Sequence, residues 1–578
     1  MSERRIGVYI CHCGGNISDY VDVEKVRAAV GDEPGVVVAK TAMFTCSDAT
    51  QQEMVQDIQE QNLDGLVVAS CSPKLHTFTF RGAAKRADLN PYQYTQVNIR
   101  EQCSWTHTDD KAGATGKAIR LVRAGIAHTR LSTPLEPIVV ETVPKALVIG
   151  GGIAGLRAAL GLSDIGLAAV LVEKEPEIGG WVAGFEGMYP HAKGGRQLIA
   201  SLWGEIQKRP DVTVFTNAEV IGKSGSFGNY QATIRVNSRP AETIPVEVGS
   251  IIVATGFDSY QPEADEYGYG MDGVVTLPEF KKMIDSSTGP LVYKGKPVKD
   301  IAYIYCVGSR QKPDLPNANR YCSRYCCNAA VHASLTVAAK GAKVHQYHLY
   351  RDMRTYGKYE LLYKESREEG SLFLKFADDA PPAVTRDENS GKLSVTVADQ
   401  LTVGTELTIP ADLVVLVTGM VPRSNEELVK TLKLPVGKDR FFNEIHPKLR
   451  PVETVVDGVY ICGACQGPKN SAESVASALA AVTQSAGILK KGFAELEPLV
   501  ATVKPDQCAW CGKCQETCPY GAVEKVRLND QDVAAINEAV CKGCGGCVPV
   551  CPRDAIDLQG YTDAQVKAMI DGLLKEIG

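Results

Sequence analysis

The sequence predicts an α/β chain in three parts: an N-terminal α/β domain over residues 1–140, a larger doubly wound α/β domain over residues 141–495, and a small α+β domain over residues 496–578. Three observations predict it. Strand-like apolar runs alternate with polar helical stretches through the first 140 residues. A strand from Lys145 opens into a glycine-rich turn and a helix, and one four-cysteine spacing occurs twice near the C-terminal end.

In the N-terminal part the runs IGVYI, VVVAK and GLVVAS read as strands, residues 48–62 as a helix, and residues 109–131 as a long amphipathic helix that closes the domain. Pro134, Pro137 and Pro144 mark a linker. Further βαβ units run to about residue 491, and residues 563–577 read as a final helix. Apolar residues at 44% and charged ones at 22% are ordinary for a globular chain. A net charge of -6 with no concentrated basic face argues against a nucleic-acid partner. The longest apolar runs, such as LVVLV at 413–417, are strand-length, so no direct membrane insertion is expected. Nothing resembling an export signal opens the chain, so a cytoplasmic protein is expected, and for its nineteen cysteines metal ligation, not disulfide bonding, is the default reading.

Cys508, Cys511, Cys514 and Cys518-Pro519 follow the spacing C-x2-C-x2-C-x3-C-P, and Cys541, Cys544, Cys547 and Cys551-Pro552 repeat it. Three thiolates from one tight loop cap three irons of a cube, and the fourth comes from the other motif. This groups Cys508, Cys511 and Cys514 with Cys551, and Cys541, Cys544 and Cys547 with Cys518, as ligands of two [4Fe-4S] clusters in a ferredoxin-like domain. A tetrahedral zinc site usually takes two separated CxxC pairs instead.

The strand ALVIG leads into Gly150-Gly151-Gly152-Ile153-Ala154-Gly155, a G-x-G-x-x-G turn at a strand-to-helix junction. The first glycine makes the turn, the second admits a pyrophosphate, and the third lets the helix pack on the strand. Some 20 residues on, AAVLVE ends at Glu173, placed to bind a ribose. IIVATG at 251–256, LVTG at 416–419 and VYICG at 459–463 add further strand ends with glycine. This ordering resembles thioredoxin-reductase-like flavoproteins with two dinucleotide-binding domains, the first of which holds FAD. The expected FAD contacts are Gly150, Gly152, Ile153, Ala154, Gly155, Glu173, Lys174, Gly180, Trp181, Val220, Ala254, Thr255, Gly256, Gly463 and Ala464.

Where such proteins carry a second glycine fingerprint for a nicotinamide, the strand at 301–305 runs into Cys306-Val307-Gly308-Ser309-Arg310, and the following helix is read as beginning at Cys322. Cys306, Cys322, Cys326 and Cys327 are therefore assigned to a third four-iron site at the sheet edge where open α/β folds place ligands, with buried free thiols or a redox dithiol as the alternative. Cys462 and Cys465 form a CxxC beside the expected flavin, readable as a redox dithiol or as small apolar packing.

The segments CHCGGNI at 11–17, CSPKLHTFTFR at 71–81, NIREQCSW at 98–105, CVGSR with YCSRYCC, RTYGKYE at 354–360 and CGACQGPK at 462–469 together resemble the HdrA-type iron–sulfur flavoproteins of heterodisulfide reductase. The resemblance implies the third cluster and a further one in the N-terminal domain, for which Cys11, Cys13, Cys46, Cys71 and Cys103 offer five candidates for four ligands. It also implies partners in a hetero-oligomer: HdrB- and HdrC-like components of heterodisulfide reductase, an iron–sulfur electron-input subunit, and ferredoxin as a further exchange partner. Two departures stand out. Residues 222–247 hold no cysteine where methanogen members insert an extra ferredoxin, and His332 stands where they tend to have a lysine near the flavin.

The expected function is an oxidoreductase subunit that passes electrons between FAD, clusters and a catalytic partner, with electron bifurcation left open; no catalytic residue is assigned beyond the flavin-proximal candidate His332. The rivals are a free-standing NAD(P)H-dependent disulfide or sulfur reductase using Cys462 and Cys465, and a subunit of an ATP-independent benzoyl-CoA reductase or a quinone-interacting oxidoreductase.

Overall fold

A computed structural model describes residues 4–189, 194–237, 241–341, 343–387 and 391–575. The chain forms two compact units: Met1–Val140 together with Glu495–Gly578, and Glu141–Ala494.

The first unit is built on a four-stranded parallel sheet in the order Val36–Ala42, Ile6–Cys11, Gly65–Ser70, Tyr94–Asn98. Every residue of Ile6–Cys11 and Gly65–Ser70 is buried, as expected of central parallel strands covered on both faces. The helices Asp48–Glu60 and Lys111–Arg130 fall where their sequence patterns place them; Ser47 caps the first by accepting from the Thr50 amide, and Asp110 caps the second by accepting from the Gly113 amide. The strand Tyr94–Asn98 and the helix Pro73–Arg86 were not read from the sequence.

The C-terminal repeats add two small antiparallel ladders, Ala501–Val503 with Ile556–Leu558 and Val523–Leu528 with Gln531–Ile536. Asn529 and Asp530 turn the second hairpin with φ of 47° and 62°, the left-handed pair that a tight two-residue loop requires. The last helix, Asp563–Leu574, opens with a capping box between Thr562 and Gln565; the end of the expected helix, residues 576–577, lies outside the described residues. This helix lies on Lys111–Arg130 closely enough that a methyl at Gly572 would stand 3.0 Å from the Ala124 nitrogen. Glu33 pairs with both Arg123 and Lys575, and buried His128 donates from Nε2 to the Gly560 carbonyl at 2.6 Å while its Nδ1 accepts from the Thr95 hydroxyl at 2.9 Å.

The second unit holds two five-stranded sheets. One is parallel in the order Val459–Ile461, Ser250–Val253, Lys145–Ile149, Ala168–Val172, Val212–Phe215. The other is parallel in the order Val274–Thr276, Leu413–Thr418, Asp300–Val307, His345–Tyr350, Leu372–Lys375. Each comes with a three-stranded antiparallel meander, Ala218–Ser226 to Glu242–Val248 for the first and Ala383–Arg386 to Thr405–Ala411 for the second. The strand ends IIVATG and VYICG belong to the same sheet as the glycine-rich turn's own strand, whereas LVTG belongs to the second sheet.

Candidate functional site

At the first sheet the glycine-rich turn has the geometry of a phosphate cradle. Gly150 sits at φ 110°, and a methyl there would lie 2.4 Å from the Ala254 carbonyl oxygen; at Gly155 it would lie 1.8 Å from the Gly150 oxygen. At Gly152 it would meet nothing within 4 Å. Two glycines are thus demanded by close backbone, and the middle one borders open space. Gly152 caps the helix Ile153–Asp164 with no side chain, so no side-chain oxygen competes with an anion for the first amides of that helix. The residues fit FAD on this observation.

The rest of the expected contacts surround the turn unevenly. Glu173 is buried, accepting from the Gly151 amide at 2.5 Å and the Glu175 amide at 2.9 Å, which leaves each carboxylate oxygen one lone pair for a ribose hydroxyl. Gly179 and Gly180 both have positive φ and return the chain to the turn, Gly179 donating to the Gly151 carbonyl at 2.8 Å. Trp181 stacks on Phe257 and donates to its carbonyl, next to Thr255 and Gly256. Ala254 and Ala464 are buried, and a methyl on Gly463 would come within 3.0 Å of the Ala154 Cβ. Val220 is buried in the core between sheet and meander, and Lys174 is exposed and paired with Glu219.

At the second sheet, Cys306 lies near the end of the central strand at φ 64°. Cys326 and Cys327 open the helix Cys326–Ala338. Cys322 is not part of that helix, contrary to the sequence reading: Arg324 takes a left-handed φ of 59° and its amide donates to the Cys322 sulfur at 3.3 Å, a local turn that delays the helix. Burial pushes the Cys306 thiol up, with Arg351 pulling against it and Cys327 adding; Cys306 and Cys322 both act on Cys326. All four thiols therefore share one neighbourhood. Cys322 also lines an open cavity of about 420 Å³ with Arg324, Arg354 and Tyr356. His332 lies further along the same helix, its ring 6.3 Å from that of Tyr189, and burial with Lys281 nearby lowers its pKa, so it is neutral near pH 7.

At the N-terminal sheet the five cysteines all lie at or just after strand ends, at the edge where open sheets place ligands. They do not stand alike. Burial raises the Cys46 thiol, with Cys11 and Cys13 adding, and burial pushes Cys71 up to about 12 against the pull of Arg100, again with Cys13 and Cys11 adding. Cys103 is fully buried inside the π-helical turn Arg100–Ser104, packed with the Ile99 and Ala118 core, and burial pushes it up to about 11 with only Lys117 opposing. Cys11, Cys13, Cys46 and Cys71 thus act on one another, whereas Cys103, although packed in the same core as Cys11, has Lys117 and not another thiol acting on it.

Six of the buried polar atoms without a hydrogen-bond partner among the described residues lie at these two sites: Thr45 Oγ1, Arg100 Nε and Glu101 Oε2 beside the N-terminal thiols, Ser309 Oγ, Arg310 Nη1 and Asn328 Oδ1 beside the second set. Such atoms are costly unless a group absent from the chain meets them. Among the described residues no three His, Cys, Asp or Glu are placed to hold a single metal ion.

In the C-terminal repeats one cavity is lined by Cys518, Cys541, Cys544 and Cys547, the second ligand set read from the spacing. Cys511 and Cys508 both act on Cys514, and Cys551 packs in the same core as Cys508 and Cys514. The repeat extends past the cysteines: Ala522 donates to the Cys518 sulfur at 3.4 Å and Ala555 to the Cys551 sulfur at 3.3 Å, each amide four residues beyond its cysteine in both copies.

Cys462 and Cys465 are both buried, their thiols raised by burial. Cys462 packs into the core on one face of the first sheet and Cys465 into the core on the other, with Cys465 donating to the Val253 and Cys462 carbonyls. Two thiols aimed at opposite faces do not serve as an exchanging dithiol, and an undissociated thiol is a poor nucleophile.

Residues 145–189 match the FAD binding domain family and residues 501–558 the 4Fe-4S dicluster domain family. The second A-type iron-sulfur subunit of CoB–CoM heterodisulfide reductase from Methanopyrus kandleri is 37% identical over 608 positions, covering 91% of this chain and 92% of its own. The chain belongs to the HdrA family of heterodisulfide reductase. A further member, the A-type component of the H2:CoB-CoM heterodisulfide, ferredoxin reductase of Methanothermobacter thermautotrophicus, is 36% identical over 90% of this chain and 91% of its own. The 608 aligned positions exceed the 578 residues here, so the relative holds residues that this chain lacks. Among solved structures, T. acidophilum thioredoxin reductase superposes with a TM-score of 0.40 at 15% identity, covering 60% of this chain and 99% of its own. As a member of this family the chain is an electron-transferring oxidoreductase subunit that contains FAD and [4Fe-4S] clusters, and it works within a multi-subunit complex. No helix among the described residues is long and apolar enough to cross a membrane.

Proposed function

We propose that this HdrA-type protein holds FAD at the glycine-rich turn and four [4Fe-4S] clusters, one per α/β sheet edge bearing cysteines and two in the C-terminal repeats, and that it exchanges electrons with partner subunits and not with a nicotinamide. The ligand sets are Cys306, Cys322, Cys326 and Cys327; Cys11, Cys13, Cys46 and Cys71; Cys508, Cys511, Cys514 and Cys551; and Cys541, Cys544, Cys547 and Cys518. FAD supplies two-electron exchange and the clusters single-electron transfer. The chain's own residues hold these groups: helix amides and Glu173 fix the nucleotide end, and the strand-end thiols bury the clusters away from water.

The observation that carries this reading is Cys306 near the end of the second sheet's central strand, in a left-handed conformation ordinarily left to glycine. It occupies the position of a phosphate-binding turn, with Cys326 and Cys327 at the start of the helix whose amides would otherwise face the phosphates. Its partners in this reading are HdrB- and HdrC-like subunits, an iron–sulfur input subunit in the cytoplasm, and ferredoxin, the last of which the named activity of the Methanothermobacter relative includes, with bifurcation depending on a second exit path for one electron. Anaerobically purified protein should contain about sixteen irons per FAD and lose about four in Cys306→Ser. It should stay oxidised with NAD(P)H and be reduced through its co-purified partners. Rapid flavin reduction by NADPH, or an iron count unchanged by Cys306→Ser, would overturn the proposal.

A further inference from the structure

Arg100 opens the turn that follows the last strand of the N-terminal sheet. Its Nη1 donates to the Cys13 sulfur at 3.6 Å, its Nη2 to Glu101 at 2.8 Å, and its guanidinium carbon lies over the Trp105 indole, 4.4 Å from the ring centroid. The side chain is only 15% exposed, and its Nε is buried without a partner. The guanidinium is therefore clamped against one thiol by an aromatic face and a carboxylate, an arrangement that a simple Arg100–Glu101 pair at the surface would not need. A similar arrangement recurs at the second sheet. Arg351, 13% exposed, is fixed by donating to the Ser309 and Arg310 carbonyls at 3.0 Å each, which sets its positive charge where it pulls the Cys306 thiol down against the effect of burial. In the C-terminal repeats, Cys508, Cys518 and Cys551 accept instead from the backbone amides of Ala534, Ala522 and Ala555.

We propose that Arg100 and Arg351 set the reduction potentials of the two clusters bound at the α/β sheets, holding each higher than thiolate ligation and backbone amides alone would. The inference rests on the ligand sets proposed above. Reduction adds one electron and one negative charge to the site and breaks no bond. A guanidinium that never loses its proton supplies the opposing charge without proton uptake, and partial burial makes that charge count for more than it would in water. Glu101 offsets part of the Arg100 charge but leaves the bond to sulfur in place. Hydrogen bonds and charge at the ligand sulfurs are among the levers that tune such clusters.

The test is an anaerobic redox titration of the whole holoprotein with dithionite, followed by electron paramagnetic resonance, on wild type, Arg100→Gln, Arg351→Gln and Cys71→Ser. Cys71→Ser identifies the N-terminal cluster's signal by altering it. Arg100→Gln should then shift that signal to a more negative midpoint and Arg351→Gln should shift the second sheet's signal likewise, with the C-terminal pair unmoved and iron content at wild-type level. A spectrum that Cys71→Ser leaves unchanged would sink the ligand assignment. A signal that Cys71→Ser alters but that keeps its wild-type midpoint in Arg100→Gln overturns the role of the arginine alone. Should Arg100→Gln not fold, Arg351→Gln with full iron and an unshifted midpoint overturns it equally.

Discussion

Replacing Gly152 by alanine separates holding the cofactor from holding the fold. The added methyl meets no protein atom within 4 Å, and the residue's φ of -74° suits any side chain, so the unliganded chain should accept it at about 0.5–1 kcal/mol for a poorer helix cap. A phosphate reaching the amides of Ile153 and Ala154 has to pass through the same space at about 2.9 Å. Forcing a methyl into a filled site costs about 1–3 kcal/mol, which weakens FAD binding by about 5- to 150-fold. Gly155→Ala is the contrasting change. Its methyl would stand 1.8 Å from the Gly150 oxygen. A carbon–oxygen contact needs about 3.3 Å, so helix and strand must part by about 1.5 Å and the apo protein itself should melt earlier. FAD affinity of deflavinated protein, read by titration, and thermal unfolding of the same samples check both. Wild-type FAD affinity in Gly152→Ala, or wild-type melting in Gly155→Ala, would refute the assignment of the turn.

Cys46→Ser should remove about four irons per chain, whereas Cys103→Ser should keep them and show only a loss of stability from placing a hydroxyl in an apolar core; iron analysis of the two variants distinguishes them. His128 links the helix Lys111–Arg130 to the C-terminal segment, and burial lowers its pKa. The neutral ring's contribution is fully present above the unfolded value near 6.5 and is lost as pH falls below it toward the lowered folded value. Denaturant titrations between about pH 7.5 and 5 should show wild type losing stability on acidification and His128→Gln losing less. An equal slope in both would show that this contact does not carry the effect.

The parts legible in the sequence are those where one residue type answers one local demand. Gly150 and Gly155 exist because backbone oxygens lie 2.4 and 1.8 Å from where a methyl would be, and the turn could be read for that reason. The doubled C-x2-C-x2-C-x3-C-P could be read as a pair of cluster motifs because each copy is local, and the dicluster family match covers both. Less legible was whatever depends on through-space sorting. Five N-terminal cysteines look equivalent in the chain, and only the fold shows that Cys103 is drawn into the core by its π-helical turn. Nor does CxxC spacing reveal that Cys462 and Cys465 address opposite faces of a sheet. The strand Tyr94–Asn98 was missed because it lies at the sheet edge with a mixed apolar and polar sequence, and Cys322 was misplaced on a helix because nothing in YCSRYCC announces the left-handed Arg324.

The first unit is assembled from two stretches of chain, with the whole of the second unit lying between them in sequence. During synthesis the middle segment can therefore reach its native state before its host does, while the apolar side of Lys111–Arg130 waits for Asp563–Leu574, which leaves the ribosome only after that segment has been made. One face of Lys111–Arg130 stays uncovered over that interval, which makes late translation the moment when chaperones matter most to this polypeptide.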